Sequence, residues 1–539
     1  MNRQIRIRGV GGTAAGPAAI VVGDDSIWVA DALDNRVTRI DPRTESVVAT
    51  IAVGARPTAV AVGAGGVWAL NAGDGSVSHI DPATNRVVAT IAVARIVTGL
   101  AVGLGRVWVA VAGGEAPESK PPPTPVRPLV TGSCAPMESG GRSPDLLIVS
   151  DFPSFDNASR SNPQIADVRA AIAAVLRARG FRAGPFHIGY QACTDSSPAT
   201  SPDLPLCAAN ARAFADDASV VGVIGAYQSS CTGVELPILN TSALGAVAMI
   251  SPANTYVGLT HGGPQTGPDE PDRYFPTGVR NYVRLVSPDD GQGAALAELA
   301  RQLHRRRLFL IDDGDPTGVA MVTYVARSAR RLGLEVAGSG HWGPKGPYGP
   351  LASRIRAVHA DAVVLTGCIC SNGGELIVDL RHGLGPKVAL LASDNFACDC
   401  NMSGPGAPRE GFGMYLTSAG ATAIALPPSG RAFLRRVFPH RPSADLVLFV
   451  PIAAAATEAL LEAIASSDGT RASVVGQLTH ERVSNTPIGS ISFDANGDPV
   501  RAPFTVFRVS SNAPATPHVP TGGLVVDRVI DADPGLAAP

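Results

Sequence analysis

The chain has 539 residues, too long for one compact core, so roughly two to four domains are expected. Its formal net charge of −2 at pH 7 argues against a nucleic-acid partner. Although 45% of the residues are hydrophobic, no uninterrupted apolar run is long enough for a membrane-spanning helix. The first residues contain no visible signal peptide, whereas the eight cysteines, all at or after Cys134, indicate disulfides and an oxidising compartment.

Residues 1–112 contain a repeat with a period of forty residues. The segment IWVADALDNRVTRIDPRTESVVATIAVG recurs as VWALNAGDGSVSHIDPATNRVVATIAVA and, in part, as VWVAVAGG, so that Trp28, Trp68 and Trp108 are equally spaced. Each unit offers four short alternating strands separated by Gly, Asp and Asn turns, which is the pattern of a propeller blade. The units resemble the YVTN-type repeats of bacterial β-propellers.

The repeat array is incomplete. The opening IRIRGVGG aligns with the last strand of a blade, and the third copy stops after two strands. About two and a half blades cannot close a ring, because propellers use at least about four. We therefore expect a truncated start, with further blades and a membrane anchor or a signalling domain upstream of Met1.

Residues 113–144 are predicted to be a linker, since EAPESKPPPTPVRP is proline-rich and should be extended. From residue 145 strands and helices alternate, which predicts an α/β domain over residues 145–510. We expect it to end in a hairpin, GSISFDANGDPVRAPFTVFRV, with an Asn-Gly-Asp turn. Residues 511–539 are interpreted as a C-terminal tail.

The stretch from Ser219 to Thr260 contains two buried strands, VVGVIG and GAVAMIS, each followed by a loop rich in small polar residues. In an open parallel sheet, ligands bind outside the carboxyl ends of the strands. The exit loops carry hydroxyl and backbone N–H groups that suit a carboxylate, because neutral donors can solvate an anion. These residues are Ser229, Ser230, Thr232, Ala253 and Thr255.

The motif series VIG, SS, PI and MISPA, followed by a threonine, resembles the first-lobe core of type I periplasmic solute-binding proteins, the leucine/isoleucine/valine-binding receptors of ABC importers. Further landmarks recur in the same order up to about residue 509. The resemblance implies a two-lobe fold with a three-strand hinge, with lobe 1 at about 145–283 and 415–487 and lobe 2 at about 284–414 and 488–510.

The resemblance also implies a function. It predicts an extracytoplasmic, non-enzymatic receptor that closes on a small amino-acid-like ligand, for uptake through an ABC permease or for ligand sensing. In this family the hydroxyl at Ser229, with Ser230 and Thr232 as neighbours, corresponds to the group that meets the ligand's α-carboxylate. Ala253 offers backbone groups there, and Thr255 offers its N–H and hydroxyl.

Asp394, in ALLASDNF, falls where the family has an acidic residue facing the ligand's α-ammonium. Asp394 would also serve as the N-cap of the following turn, and both interpretations stay open. Thr317 stands where the family has an aromatic residue, and other cleft aromatics are missing too. The wall that grips a branched side chain is therefore incomplete, and the site would suit a more polar or larger solute.

Two Cys-x-Cys pairs follow neighbouring strands of the second lobe. A disulfide across the two loops is the first interpretation, and free thiols are the second. Structural zinc is the third, since zinc sites prefer longer spacing between the ligands. The residues concerned are Cys368, Cys370, Cys398 and Cys400.

The cysteines of the first lobe leave two pairings open. The resemblance implies a Cys193–Cys231 disulfide. A Cys193–Cys207 disulfide would instead close the insertion between these residues locally.

No catalytic motif occurs in the chain: HExxH, G-x-S-x-G and the P-loop are all missing, and the ten histidines are scattered. We therefore expect no enzyme, no cofactor and no metal. The alternative function is an interaction scaffold or a regulatory sensor with a degenerate ligand cleft, in which the propeller binds the partner. A metal-dependent enzyme using the paired cysteines is the third hypothesis.

Overall fold

A computed structural model gives the architecture of the chain, which divides into two compact units, Met1–Pro122 and Pro123–Pro539. The residues that it describes are 16–93, 97–103, 105–111, 126–154, 163–369, 371–396, 409–420, 422, 426–440, 449–480, 482–501, 503–511 and 523–538. Among these residues no helix is long and apolar enough to cross a membrane.

The N-terminal unit is built from antiparallel strands that follow the forty-residue period. The first four strands form one sheet in chain order, the next four form a second sheet, and the last two form a pair. Four strands per repeat, and two in the third copy, agree with the prediction from the sequence. The strands are β1 (Pro17–Gly23), β2 (Ser26–Asp31), β3 (Arg36–Asp41), β4 (Ser46–Ala52), β5 (Pro57–Gly63), β6 (Gly66–Asn71), β7 (Ser76–Asp81), β8 (Arg86–Ala92), β9 (Val97–Gly103) and β10 (Arg106–Val111).

The three repeated tryptophans occupy equivalent positions. The indole N–H groups of Trp28, Trp68 and Trp108 each donate to the carbonyl of the glycine five residues earlier, at 3.1, 3.0 and 3.1 Å. The first two sheets share one apolar core, in which Trp28 from the first sheet packs with Val67 from the second. The propeller itself stays a prediction, and its expected opening strand, within residues 1–15, lies outside the described residues.

The C-terminal unit is an α/β structure. Its strands are β11 (Leu146–Asp151), β12 (Arg182–Ala183), β13 (Phe186–Cys193), β14 (Val220–Gly225), β15 (Ala248–Ser251), β16 (Tyr282–Arg284), β17 (Arg307–Asp312), β18 (Glu335–His341), β19 (Ala362–Leu365), β20 (Ala389–Ala392), β21 (Tyr415–Ala419), β22 (Val483–Thr486), β23 (Gly489–Ile491), β24 (Pro503–Ser510) and β25 (Gly523–Asp531). Its helices are α1 (Pro163–Ala178), α2 (Leu204–Asp216), α3 (Ser229–Asn240), α4 (Asp289–Gln302), α5 (Pro316–Arg331), α6 (Gly349–Ala357), α7 (Gly373–Leu384), α8 (Pro428–Val437), α9 (Phe449–Ala465) and α10 (Arg471–His480).

Two sheets define two lobes within this unit. The first has six strands in the order β12-β13-β11-β14-β15-β16, and the second has seven in the order β18-β17-β19-β20-β21-β24-β25. Strand β14 is buried along its whole length, as its uninterrupted apolar sequence predicts. Helices α9 and α10 pack on the first sheet, so the chain passes to the second lobe after β16, returns after β21 and leaves again before β24.

The predicted lobe boundary at residue 415 is wrong. β21 pairs in parallel with β20 and antiparallel with β24, so it belongs to the second sheet. The chain returns to the first lobe only after this strand. The buried sequence of β21 fits either lobe, and only its backbone hydrogen bonds decide between them.

The predicted final hairpin and the predicted tail are also wrong. β23 pairs with β22 rather than with β24, and a single bridge between Phe493 and Pro499 spans the Asn-Gly turn. β24 instead lies between β21 and β25, and β25 belongs to the segment 511–539 that the sequence analysis interprets as a tail. An edge strand exposes unpaired backbone groups, and β25 satisfies those of β24.

The second half of the predicted linker is part of the first lobe. Leu129 N–H donates to Gln191 Oε1 at 2.6 Å, and Ala135 N–H donates to the carbonyl of Ala192 at 2.8 Å. Glu138 and Tyr190 form an antiparallel bridge nearby. The physical reason is again an open strand edge. The two-residue strand β12 covers only the beginning of the outer side of β13, and residues 129–138 pair with the rest of it.

Both proposed pairings of Cys193 are wrong. The disulfides join Cys134 to Cys193 and Cys207 to Cys231, with Cα–Cα distances of 3.9 and 5.6 Å. Cys134 lies opposite Cys193 in the segment that covers β13, whereas Cys207 and Cys231 lie on the packed helices α2 and α3. Cys134 was not a candidate because its segment was taken for a linker.

The second group of cysteines is only partly described. Cys368 lies in the loop after β19 and is half-buried. Cys370, Cys398 and Cys400 lie outside the described residues, so the disulfide across the two loops stays a prediction. Among the described residues, no group of three or more His, Cys, Asp or Glu side chains is placed to hold a metal ion.

Candidate functional site

The carboxyl ends of β14 and β15 meet the N-terminus of α3 at one edge of the first sheet. Helix α3 begins at Ser229, and within the described part of the chain its N-cap residue, Gln228, makes no capping hydrogen bond through its side chain. The first N–H groups of a helix have no intrahelical acceptor, and the helix dipole adds a partial positive charge there. This end of α3 therefore suits a carboxylate.

Three of the predicted ligand residues lie at this edge. Ser230 is exposed in the first turn of α3, and Ser229 beside it is half-buried. Ser229 Oγ accepts the N–H of Tyr256 at 3.3 Å, which ties the two exit loops together. Thr255 lies in the second exit loop, and its carbonyl accepts the N–H of Asp289 from the second lobe at 2.9 Å.

Two other predicted ligand residues are engaged within the first lobe. Thr232 is fully buried and donates to Asn254 Oδ1 at 2.7 Å. The N–H of Ala253 donates to Ser251 Oγ at 3.2 Å, so this donor already has an acceptor. Contact of Thr232 and Ala253 with the ligand stays a prediction.

Asp394 comes from the opposite lobe, after β20, where it begins a 3-10 turn that ends at Phe396. Its Oδ1 accepts a hydrogen bond from Gln292 Nε2 at 3.1 Å, and its carboxylate also accepts backbone N–H groups of the turn. Burial raises the pKa of Asp394, and the same acid contributes to raising the pKa of Tyr227 after burial of that phenol. Asp394 thus caps its turn, and its charge also raises the pKa of Tyr227 on the first lobe, across the cleft.

Asp289, at the start of α4, is a second cleft acid that the sequence analysis missed. Its side chain is 9% exposed. Burial and then the charge of Asp394 raise the pKa of Asp289 to about 7, and a hydrogen bond with the Thr255 side chain opposes this shift. The sequence does contain a pair of acids, in VSPDDG, directly after the hinge strand β16. Such a pair is equally typical of the start of a helix.

A cavity of about 120 Å³ lies between the two lobes beside Asp289. Thr317, the last predicted ligand residue, contributes to it from the first turn of α5, where its N–H donates to the N-cap Asp315 at 2.9 Å. Apart from Gln265, the rest of the wall is aromatic and apolar. The lining residues are Tyr256, Val257, Pro264, Gln265, Asp289, Pro316, Thr317, Ala320 and Tyr324.

One buried acid holds the first-lobe wall of this cavity. Glu270 accepts hydrogen bonds from the hydroxyl groups of Tyr256 and Tyr274, both at 2.6 Å, and from the N–H of Gly267 at 2.8 Å. Burial alone would raise the pKa of Glu270, but the hydrogen bonds from the two tyrosines and Gly267, together with the charge of Arg273, lower it. The ring of Tyr256 is therefore fixed in position by an ionised carboxylate.

The cleft has aromatic side chains, although not at the positions that the resemblance indicated. Tyr227 follows β14 and packs edge-on against Phe449, with 5.3 Å between the ring centroids. Tyr256 follows β15, and Tyr324 lies on α5. The first two could have been found from the sequence, because they lie in the same exit loops as the predicted hydroxyl residues.

A charged network joins the two lobes next to the cleft. His261 Nε2 lies 3.0 Å from Asp290 Oδ2 on α4, and His261 Nδ1 lies 3.0 Å from Asp498 Oδ2. Burial alone would lower the pKa of His261, but the hydrogen bonds with Asp290 and Asp498 raise it to about 9. The imidazole is therefore positively charged at neutral pH.

A cluster of buried acids lies at the carboxyl end of β11, below the surface. Asp151, Asp195 and Glu235 are all 0% exposed, and Asp151 and Glu235 share a hydrogen bond. Asn210 Nδ2 donates to Asp151 Oδ2 at 2.8 Å, and the charge of Arg169 is close by. Burial raises the pKa of Asp195 to about 8, with a further contribution from Asp151.

Comparison with known proteins identifies the family. A family model described as periplasmic binding protein matches residues 201–514. No curated protein sequence matches the chain. Among solved structures, an ABC transporter substrate-binding protein from Desulfitobacterium hafniense in complex with Leu is 18% identical, with a TM-score of 0.54, over 70% of this chain and 99% of the other.

Two further solved structures have the same fold. A leucine-binding protein from Thermotoga maritima is 18% identical, with a TM-score of 0.52, over 72% of this chain and 99% of its own. A solute-binding protein from R. palustris in complex with 4-hydroxybenzoate is 13% identical, with a TM-score of 0.54, over 72% of this chain and 97% of its own.

The family model covers more than half of the chain, and the two-lobe fold agrees with it. This chain therefore belongs to the periplasmic binding protein family. Proteins of this family are extracytoplasmic receptors for small-molecule solutes and are not enzymes. The two disulfides of the first lobe fit an oxidising compartment.

Proposed function

We propose that this chain is a receptor that closes on a small amino-acid-like solute, for uptake through an ABC permease or for ligand sensing. The observation that carries the proposal is a pair of complementary groups on opposite lobes. The start of α3 supplies N–H donors on the first lobe, and Asp394 supplies a half-buried carboxylate on the second. A zwitterion satisfies both, since helix N-termini favour anions and a desolvated carboxylate favours an ammonium group.

The solved relatives support the carboxylate part of this proposal. One of them is in complex with Leu and another with 4-hydroxybenzoate. The two compounds share a carboxylate, and leucine alone also has an ammonium group. Asp394, which burial makes costly to ionise without a cationic partner, therefore favours the amino acid over the aromatic acid for this chain.

Closure follows from the division of the contacts between the lobes. Each lobe alone offers half of them, so a zwitterion binds the closed form more tightly than the open form. Tyr227 on the first lobe already lies within electrostatic reach of Asp394 on the second. The same bound solute would bring the lobes together whether the output is transport or signalling.

The test is calorimetric titration of the full chain with the common α-amino acids, the amides of the same amino acids and 4-hydroxybenzoate. We expect at least one free amino acid to bind, and its amide to bind at least about tenfold more weakly because it lacks the carboxylate. Failure of every α-amino acid, or binding of 4-hydroxybenzoate alone, would contradict the proposal.

For the N-terminal unit we propose propeller blades, on the grounds of the four-stranded repeats and the recurrent tryptophan–glycine hydrogen bond. An experimental structure of the full chain tests this. Successive sheets arranged radially around an axis would support the blades, and sheets stacked in a linear array would contradict them.

A further inference from the structure

The cavity between the lobes has one charged lining residue, and that residue is an acid. Among its described lining residues, Asp289 is the only acid, and none is basic. Tyr256 and Tyr324 form aromatic parts of the wall on opposite lobes. A cavity for a neutral apolar side chain would not need a buried carboxylate, and a cavity for an anion would exclude one.

The bases next to the cavity are engaged by other groups. Arg284 is fully buried and pairs with Asp498, with 2.6 Å between Nε and Oδ1. His261 lies between Asp290 and Asp498. The hydrogen bonds of these two cations go to other groups, although the charge of Arg284 still lowers the pKa of Asp289. The Thr255 side chain forms a hydrogen bond with Asp289.

Two carboxylates of the cleft repel each other, and the charge of Arg284 offsets only part of the resulting rise in the pKa of Asp289. Burial and the charge of Asp394 together raise the pKa of Asp289 to about 7. An ammonium group paired with Asp394 removes part of this repulsion, and a second cation beside Asp289 removes the rest. A neutral amino acid brings one ammonium group into the cleft, whereas the cleft offers two carboxylates.

We propose that the solute is an α-amino acid with a second cationic group on its side chain, and that Asp289 pairs with this group in the cavity beside Tyr256 and Tyr324. The inference rests on the proposed function, since Asp394 is taken to bind the α-ammonium. The aliphatic part of such a side chain fits the apolar wall formed by Val257 and Ala320. The tyrosine rings attract the cation further, because aromatic faces carry partial negative charge.

Asp289 also has a structural position in α4, and the effect of that position on stability has to be separated from ligand binding. As the first residue of α4 it lies where an acid stabilises the helix dipole. In that role, its replacement would lower the stability of the protein and leave the selectivity for solutes unchanged.

The test is calorimetric titration of the full chain with L-lysine and L-norleucine, and with L-arginine and L-citrulline, which differ mainly in the side-chain charge. L-glutamate serves as the anionic comparison. We expect lysine or arginine to bind at least about tenfold more tightly than its neutral counterpart, the gain expected for one charge-assisted contact. This comparison needs no variant.

The matched variants are Asp289→Asn and Glu298→Gln. Both remove one negative charge from α4, but Glu298 lies outside the cavity and pairs with Arg301. D289N should abolish the preference for the cationic member of each pair and leave the affinity for the neutral member within about threefold. E298Q should leave the preference intact. An unchanged preference in D289N would overturn the inference.

Proton release gives a second readout. Because the pKa of Asp289 is about 7, this group is partly protonated at neutral pH, and a cation bound beside it should expel the proton. Lysine titrations at pH 7 in buffers of different ionisation enthalpy should then reveal more proton release than norleucine titrations, because the α-ammonium alone relieves only part of the repulsion at Asp289. D289N should abolish this difference. Equal proton release for lysine and norleucine would contradict the inference.

The inference and the proposed function fail in different ways. If leucine, norleucine or glutamate binds more tightly than lysine and arginine, the chain remains an amino-acid receptor and the cationic side chain is excluded. If no α-amino acid binds, both the inference and the amino-acid-like solute are contradicted.

Discussion

Arg284 Nε lies 2.6 Å from Asp498 Oδ1, although 214 positions separate the two residues in the chain. Arg284 ends β16 and is fully buried, and Asp498 follows the Asn-Gly turn after β23. The same guanidinium donates to the carbonyl of Tyr256 at 2.7 Å. This ion pair therefore fixes the loop that forms the first-lobe wall of the cavity to a segment that crosses between the lobes.

Removing the acid of this pair should strongly destabilise the solute-binding unit. Asp498→Asn leaves the charge of Arg284 buried without its partner, which costs about 3–5 kcal/mol in typical proteins. The measurement is urea-induced unfolding followed by circular dichroism. The control is Asp531→Asn, because Asp531 pairs with Arg501 at the surface, and exposed pairs contribute at most about 1 kcal/mol. Equal losses in the two variants would contradict the structural role of the pair.

The His261 network predicts a dependence of stability on pH. The pKa of His261 rises from an ordinary value near 6.5 to about 9 on folding, so the folded state binds its proton more tightly than the unfolded state. The stabilisation is fully present below pH 6.5 and is lost as the pH rises through 9. It amounts to about 2–3 kcal/mol.

The measurement is the free energy of unfolding of the wild type and His261→Gln between pH 6 and pH 10. The difference between the two proteins should be largest near pH 6 and should shrink as the pH approaches 10. The control variant is His304→Gln, at an exposed histidine that follows the end of α4 and lies outside this network. A difference that is independent of pH would rule out a charged imidazole at position 261.

The buried acid cluster predicts a second effect with the same sign. In the folded state the pKa of Asp151 is raised to about 6 and that of Asp195 to about 8, chiefly by burial. Folding therefore favours their protonated forms, and stability falls as the pH rises from the ordinary carboxylate range near 4 through these values. Neither carboxylate oxygen of Asp195 has a hydrogen-bond partner on another residue within the described part of the chain.

Asp195→Asn should reduce the loss of stability between pH 5 and pH 9, because the amide cannot ionise. We expect the variant to be more stable than the wild type by about 1–3 kcal/mol at pH 9 and close to it at pH 5. The measurement is thermal unfolding at both pH values, with the exposed Asp272→Asn as control. A variant that is less stable than the wild type at pH 9 would show that Asp195 is not an uncompensated buried charge.

The sequence was sufficient to predict the elements whose residue pattern lies within one short segment of the chain. The forty-residue period predicted four strands per repeat, and the apolar run of β14 predicted a buried strand with a polar exit loop. The motif order predicted the two-lobe fold. These features depend on residues that are close in the chain, so their periodicity and turn chemistry are visible in one dimension.

The features that could not be predicted depend on pairing between distant segments. The partner of Cys193 is Cys134, because a segment with no strand pattern covers the edge of β13. Likewise β24 takes β25 as its neighbour rather than the nearer β23. An open sheet edge can pair with any extended segment, so the rest of the fold decides which segment pairs with it.

The binding site was predicted in part for a similar reason. Ser229, Thr255 and Asp394 lie at strand ends that the sequence identifies. Asp289 lies at the start of a helix, where the sequence alone suggests a role in the helix dipole, and its place in a cavity depends on how the lobes approach each other. The predictions of ligand contact at all four positions await a binding measurement.

The most direct measurement is calorimetric titration of wild type, Asp394→Asn and Ser229→Ala with the tightest-binding amino acid and with its deamino analogue. We predict that D394N costs about 2–4 kcal/mol in amino-acid binding and S229A about 1–2 kcal/mol, because charge-assisted bonds in a desolvated cleft are stronger than neutral ones. The deamino analogue should bind wild type and D394N alike. An amino-acid affinity that D394N leaves unchanged would contradict the assignment of Asp394 to the solute's ammonium group.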